Sequence, residues 1–97
     1  DSKNHWQIVM RGHAAANIIP VVASNRVGVE KEKGSAMTFF SSSFIADQYG
    51  NMVASMDRSS EGFITFEFDL QNINDQRISW GVFRDRRPDL YQRITKL

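Results

Sequence analysis

A mixed α/β (α+β) fold is predicted for this 97-residue chain from three features: helical spacing over residues 3–17, a short β-branched run over 18–24, and strict alternation over 62–68. Hydrophobic residues make up 41% and charged residues 24%, the balance of an ordinary globular sequence. At this length one domain, or part of one, is the limit, and a core has to draw on most of the apolar residues present. The chain opens on Asp1 rather than methionine, so a processed or partial chain is expected.

Over residues 3–17, Trp6, Val9, Met10, His13 and Ala16 or Asn17 recur three and four apart, and Ser2 stands where an N-cap belongs. Gly12 and Ala14 to Ala16 thin the second half of this helix, and Trp6 and Ile8 give it more apolar surface than one contact uses. A second partner surface is therefore expected. Residues 18–24 read as a strand buried on both faces, with Pro20 near its start, where a missing ladder donor is tolerated. Glu30, Lys31, Glu32 and Lys33 alternate in sign and end at Gly34, which reads as an exposed loop.

The aromatic and serine-rich residues 38–46 are expected to run as a strand, turn at Gly50-Asn51 and return antiparallel over residues 52–56. In residues 62–68, Ile64, Phe66 and Phe68 share one face, and Phe63, Thr65 and Glu67 the other. Asp69 is placed to cap a helix over residues 70–78. A helix layer against a largely antiparallel sheet follows, and phenylalanines on both sheet faces call for cover on both sides.

The candidate chemistry is narrow. Without cysteine there is no disulfide framework, thiolate metal site or cysteine nucleophile within these residues, and a cytoplasmic location is expected. The longest apolar stretch, residues 18–23, is far short of the roughly 20 a membrane span needs, and no membrane partner is expected. His5 and His13 lie eight positions apart, roughly 80° around a helix, and with no third ligand they make no metal site; packing or capping is expected of them.

Ser41, Ser42 and Ser43 sit in a predicted strand, so their hydroxyls alternate between faces and cannot surround one reacting atom. The six glycines are scattered singly, which gives no phosphate-cradling loop, and no carboxylate pair is set by spacing for acid–base work. Residues 77–97 are basic, with Arg77, Arg84, Arg86, Arg87, Arg93 and Lys96 against Asp85 and Asp89. The alternating signs let these charges pair locally, which argues against a nucleic-acid partner.

Three stretches go further: Asp1-Ser-Lys-Asn-His-Trp-Gln running to Gly12-His-Ala-Ala-Ala-Asn17, then Val21-Val-Ala-Ser-Asn-Arg-Val-Gly28, and Trp80-Gly-Val-Phe-Arg-Asp-Arg-Arg-Pro-Asp-Leu-Tyr91. Together they resemble the carbon-nitrogen hydrolase (nitrilase) superfamily, across nearly the whole chain but only the C-terminal third of such an enzyme. The tail is the sharper marker. Members usually carry a tyrosine and a glycine where this chain has Phe40 and Ser41.

The resemblance implies the C-terminal part of a four-layer α-β-β-α nitrilase-like sandwich, with residues 1–97 as one segment of a single domain. It implies hydrolysis of a small-molecule substrate, N-carbamoylputrescine on the tail motif, to putrescine, carbon dioxide and ammonia, with no metal or organic cofactor. The cysteine, lysine and glutamate that act as nucleophile, oxyanion donor and proton carrier would lie upstream of Asp1. No catalytic residue then falls within this chain, which alone is expected to be inactive. A hydrolase of another N-carbamoyl amine or amide, such as a ureidopropionate, and a non-enzymatic interaction module using the basic tail are the alternatives.

The same resemblance implies a homo-oligomer built through the helix at 3–17 and the C-terminal tail. Ser24, Asn25 and Arg26, at the exit of the buried strand, are the candidate substrate-binding residues, lining or supporting the pocket; strand-end capping, with a buried ion pair for Arg26, is the structural alternative. In the tail, Arg84, Arg86 and Arg87 are expected to pair with carboxylates of the same or a neighbouring subunit, with Trp80 and Tyr91 packed on the body.

Overall fold

The computed structural model describes residues 2–97, so Asp1, with which the first motif opens, lies outside the described residues. In order come α1 (Lys3–Asn17), β1 (Val21–Ala23), β2 (Val27–Glu32), β3 (Ser35–Phe40), β4 (Phe44–Ala46), β5 (Met52–Ser55) and α2 (Leu70–Trp80). Two 3-10 turns, Pro88–Leu90 and Gln92–Thr95, finish the tail.

α1 spans the residues that its spacing predicts, but its packed face is rotated from the expected one. Trp6 and Met10 face the core and the row continues to Ala14, while Val9 and His13 are exposed. Residues 6, 10 and 14 form one four-apart row, and 9 and 13 belong to the adjacent row that turns toward solvent. His5 is exposed as well, so neither histidine takes the packed role expected of it. Ser2 precedes the helix without a side-chain cap, and its carbonyl accepts the Trp6 N–H at 2.9 Å. Ile18 ends the helix in the left-handed region at φ 51°, an unusual place for a β-branched residue, where its side chain is 3% exposed.

β4 is the centre of a three-stranded antiparallel sheet in the order β1-β4-β5. Val21 lies opposite Ala46 and Ala23 opposite Phe44. On the other side the register slips between Ile45 and Ala46, a bulge that brings Ala46 opposite Met52. Ala23, Phe44 and Ala46 face α1, where Trp6 meets Phe44 edge-on with ring centres 5.2 Å apart and Phe40 at 5.5 Å. Alanines at 14, 23 and 46 let the helix sit close to the sheet, so one aromatic pair fills most of the core.

β1 is shorter and less buried than expected. Ile18 and Ile19 are used in the helix terminus, and Val22 is 68% exposed because α1 covers one sheet face only. The long hairpin expected over 38–56 forms only from Phe44 onward, as β4 and β5, because Ser41 and Ser42 turn left-handed and stop β3 at Phe40.

β3 instead pairs with β2, from Val27 opposite Phe40 to Glu32 opposite Ser35. Lys33 and Gly34 both take positive φ at its tip, as a tight two-residue hairpin turn requires. The alternating charges of residues 30–33 are thus the end of an exposed ribbon rather than a loop, and solvent on both faces removed the hydrophobic pattern that would have marked it.

Residues 62–68 form no strand among the described residues. Their alternation is present and Phe66 touches Phe68 with ring centres 4.9 Å apart, but no neighbouring strand offers them a ladder, and Phe63 is 88% exposed. Asp69 caps α2 as expected, its carboxylate accepting the Asn72 N–H at 3.0 Å, and Gly81 at φ 64° closes the helix two residues past the expected end. Arg77 of α2 donates to the Asn17 carbonyl at the end of α1.

A Cα radius of gyration of 17.7 Å exceeds the roughly 13 Å of a compact domain of this size, and the extents of 52 × 41 × 16 Å describe a thin plate. Among the described residues no helix is long and apolar enough to cross a membrane.

Because Phe44 is fully buried and touches Trp6, Phe44→Ala is expected to destabilise the protein by about 3–5 kcal/mol. Denaturant unfolding at constant m-value checks this; a loss below about 1 kcal/mol would mean that α1 does not depend on the aromatic pair.

Candidate functional site

The chain leaves the sheet at Ser24, and Asn25 at once takes up four hydrogen-bonding roles. Its N–H donates to Ser43 Oγ at 2.8 Å, its Nδ2 donates to the Ser41 carbonyl at 2.8 Å, and its Oδ1 accepts the Arg26 N–H at 2.9 Å. The Ser43 hydroxyl in turn lies 3.4 Å from the Asn25 carbonyl. Ser41–Ser43, expected to alternate along a strand, instead bridge β3 and β4, with Ser41 and Ser42 buried and left-handed and Ser43 half-buried.

Three further bonds fix that bridge. Ser42 N–H donates to the Asp57 carbonyl at 3.2 Å, Met56 N–H donates to the Ser43 carbonyl at 2.8 Å, and Gln7 Nε2 of α1 donates to the Ser42 carbonyl at 3.3 Å. Helix, β1 exit and β5 end therefore meet on three serines. No glycine stands at 41 or 42 to signal the left-handed turns, so the three serines read as part of a strand.

Beneath the bridge, a cleft of about 300 Å³ opens between the sheet and residues 62–64, lined among others by Ser24, Asn25, Ser43, Ile45, Phe63 and Ile64. A second cleft of about 190 Å³ adjoins it and reaches Ser41, Ser60 and Glu61. Asn25, Ser43, Met56 and Gly62 border both, and among the described residues Glu61 is the one charged residue on either wall.

Of the three residues singled out from sequence, Ser24 and Asn25 are thus brought to the cleft and Arg26 is not. The Arg26 guanidinium pairs with Glu30 and stands 4.4 Å from the Phe39 ring centre, which fastens the exposed hairpin. Both partners of that pair are more than half exposed, so it is a surface pair rather than a buried one.

Asp57 steers the chain from β5 into the cleft floor. Its carbonyl holds Ser42, while its carboxylate accepts Ser59 N–H at 2.9 Å, Ser60 N–H at 2.6 Å and the Ser60 hydroxyl at 2.8 Å. The Ser59 backbone donor first, then the Ser60 donors, hold this carboxyl below the usual aspartate range.

A third concavity of about 290 Å³ lies between α2 and the tail, lined by Ile78, Val82 and Phe83 with Arg77 and Arg84. Both cations are engaged elsewhere, Arg77 on the Asn17 carbonyl and Arg84 on Asp85, so this groove offers no converging polar set.

The tail neutralises itself. Arg84 pairs with Asp85 at 2.8 Å and Arg87 with Asp89 at 2.9 Å, and hydrogen bonding to these guanidiniums holds both aspartates below their usual range. Arg86 stacks on Phe83, 3.8 Å from its ring centre, instead of meeting a carboxylate. Trp80 is 68% exposed rather than packed on the body, and the Tyr91 hydroxyl accepts the Arg87 N–H at 2.9 Å within the tail. Among the described residues no three His, Cys, Asp or Glu side chains converge on a metal position.

A mixed plate of helix and sheet with a polar strand exit above a cleft is one portion of a nitrilase-like α/β fold. The family model described as carbon-nitrogen hydrolase matches residues 1–78, and the chain belongs to that family. Among named relatives, an N-carbamoylputrescine amidase from Arabidopsis thaliana is 54% identical over 95% of this chain and 32% of its own length. A citrullinase from Francisella tularensis is 49% identical over 99% of this chain and 34% of its own.

The crystal structure of a carbon-nitrogen hydrolase from Helicobacter pylori G27 superposes with a TM-score of 0.83 at 39% identity, over 98% of this chain and 33% of that one. The chain therefore spans about a third of the length of the curated relatives it matches. The tail motif lies beyond the family model's match, yet within the stretch covered by the citrullinase comparison.

Asp57 has a depressed native pKa, so the stabilisation from its ionised form is complete above the ordinary aspartate value near 3.9 and is lost as pH falls through the lower native value. Carbon-13 carboxyl titration is expected to place its midpoint below that of an unstructured aspartate. A midpoint at the ordinary value would mean that the Ser59 and Ser60 donors do not hold it.

Proposed function

We propose that this chain is the C-terminal segment of a single-domain carbon-nitrogen hydrolase that splits N-carbamoylputrescine into putrescine, carbon dioxide and ammonia. The observation that carries the reading is the identity with the Arabidopsis amidase, which exceeds half of the aligned residues. With no cysteine among its residues, the chain supplies walls and supports, and a thiolate nucleophile, an oxyanion lysine and a proton-carrying glutamate come from outside it. One water is consumed: the thiolate attacks the ureido carbonyl, ammonia leaves, water releases the carbamate, and carbon dioxide departs from the amine.

In this reading Ser24 and Asn25 line the substrate pocket and Arg26 supports it through the hairpin. Glu61 on the cleft wall is acidic, which suits a substrate whose far end is an ammonium. The thin, extended shape supports the segment assignment, because the sheet face carrying Val22 and the exposed Phe63 call for further cover. Ile8 and Tyr49, exposed beside Gly12 and Ala15 of α1, support a homo-oligomer joined through α1 and the tail. The enzyme works in the cytoplasm, without metal or organic cofactor.

A second reading, hydrolysis of citrulline, is favoured by the Francisella relative. Citrulline carries the same terminal ureido group on the same length of carbon chain, with one added carboxylate beside the ammonium. Glu61 beside the cleft suits the ammonium that both compounds carry and repels the added carboxylate, so the amine substrate is preferred.

Ammonia release by the intact protein decides between them. The expected result is a kcat/KM at least tenfold higher for N-carbamoylputrescine than for citrulline; the reverse order would move the substrate assignment to citrulline, and no release from either would remove both substrates in favour of another N-carbamoyl amine or amide. Light scattering of the same preparation is expected to give a multiple of the protomer mass, and a monomer would remove the oligomer. Residues 1–97 expressed alone are expected to release none.

A further inference from the structure

Ser41 and Ser42 stand in the left-handed region at φ 49° and 64°, are buried, and are not glycine. A residue with a Cβ avoids that region, so two in succession persist only where their neighbours over-determine them. Ser42 has three such holds: Gln7 Nε2 on its carbonyl, the Asp57 carbonyl on its N–H, and its own hydroxyl donating to the Phe40 carbonyl at 2.9 Å. At Ser41 the bond that sets the direction of the carbonyl comes from Asn25 Nδ2.

Asn25 also grips Ser43 through its N–H, and it borders both clefts that the bridge walls off. We infer that Asn25 is a positioning residue: its amide holds the Ser41 carbonyl and the Ser43 hydroxyl where they shape the cleft wall, and it acts through the bridge rather than on the reacting atoms. The inference rests on the reading that this cleft takes the ureido substrate.

The chemistry requires an amide at position 25. Nδ2 must donate to the Ser41 carbonyl while Oδ1 accepts the Arg26 N–H. In Asn25→Asp the side chain keeps its shape, but a carboxylate oxygen then faces the Ser41 carbonyl, and two acceptors repel. The left-handed bridge loses its clamp and relaxes toward ordinary φ values. Glycine at 41 and 42 needs no clamp, because positive φ carries no Cβ clash there.

The test is a cycle of four intact proteins: unaltered, Asn25→Asp, Ser41→Gly with Ser42→Gly, and all three changes together. Two readouts are taken: kcat/KM for ammonia release from N-carbamoylputrescine, and native-state hydrogen exchange of the Ser42 amide. Asn25→Asp alone is expected to lower kcat/KM at least tenfold and to speed Ser42 exchange at least tenfold. In the glycine background both effects are expected to shrink below threefold. A loss of kcat/KM that is equal in both backgrounds would overturn the inference, since Asn25 would then act on substrate directly, and so would unchanged exchange.

Should Asn25→Asp fail to fold, Asn25→Ser, which is uncharged and also lacks the Nδ2 donor to the Ser41 carbonyl, replaces it in the same cycle with the same expected and overturning results. An unaltered protein that releases no ammonia from N-carbamoylputrescine or citrulline would overturn the functional reading instead, and exchange of the Ser42 amide would still report on the clamp.

Discussion

Burial of Phe44 against Trp6 sets the geometry on which the rest of the plate depends. Phe44 is the first residue of the central strand, so its position fixes where β1 pairs on one side and β5 on the other. It is also the residue immediately after the serine bridge. Once the ring is seated under α1, the bridge has to climb from β3 to β4 in three residues, and an extended path does not fit. Left-handed turns at Ser41 and Ser42 solve that problem, and Asn25, Gln7 and the Asp57 carbonyl hold the solution in place. The cleft beneath follows from packing, since its walls are the strand exit, the bridge and the chain that Asp57 directs back under the sheet.

Local signals marked the elements whose structure is local. The spacing of Trp6 and Met10 marked α1, and Asp69 marked the start of α2, because caps and helical rows are set within four residues. Elements defined by remote partners were harder to read. The β2–β3 ribbon is wet on both faces, so Glu30 to Lys33 carry no alternation of apolar and polar residues, only of charge. Residues 62–68 show the opposite case, with full alternation and, among the described residues, no partner strand.

The candidate site was legible to a similar degree. Of the Ser-Asn-Arg sequence at the strand exit, Ser24 and Asn25 line the candidate cleft. Arg26 turned toward Glu30 and Phe39 instead, a preference governed by β2 and β3 pairing that sequence spacing does not reveal. The bridge was hidden by composition: three serines after two phenylalanines resemble a strand until the left-handed φ values are seen. Charge pairing within the tail was legible, because Arg84 with Asp85 and Arg87 with Asp89 are near neighbours in the chain.

The substrate proposed above is a small ureido compound with a cationic end, a proposal supported by the acidic Glu61 beside the cleft. A crystal structure of the intact protein with putrescine bound tests that claim most directly. The account predicts ligand density between Asn25, Ser43 and Gly62, with one of the two ammonium groups toward Glu61. Density in the groove between α2 and the tail, or a cleft filled by protein with the ligand elsewhere, would contradict it.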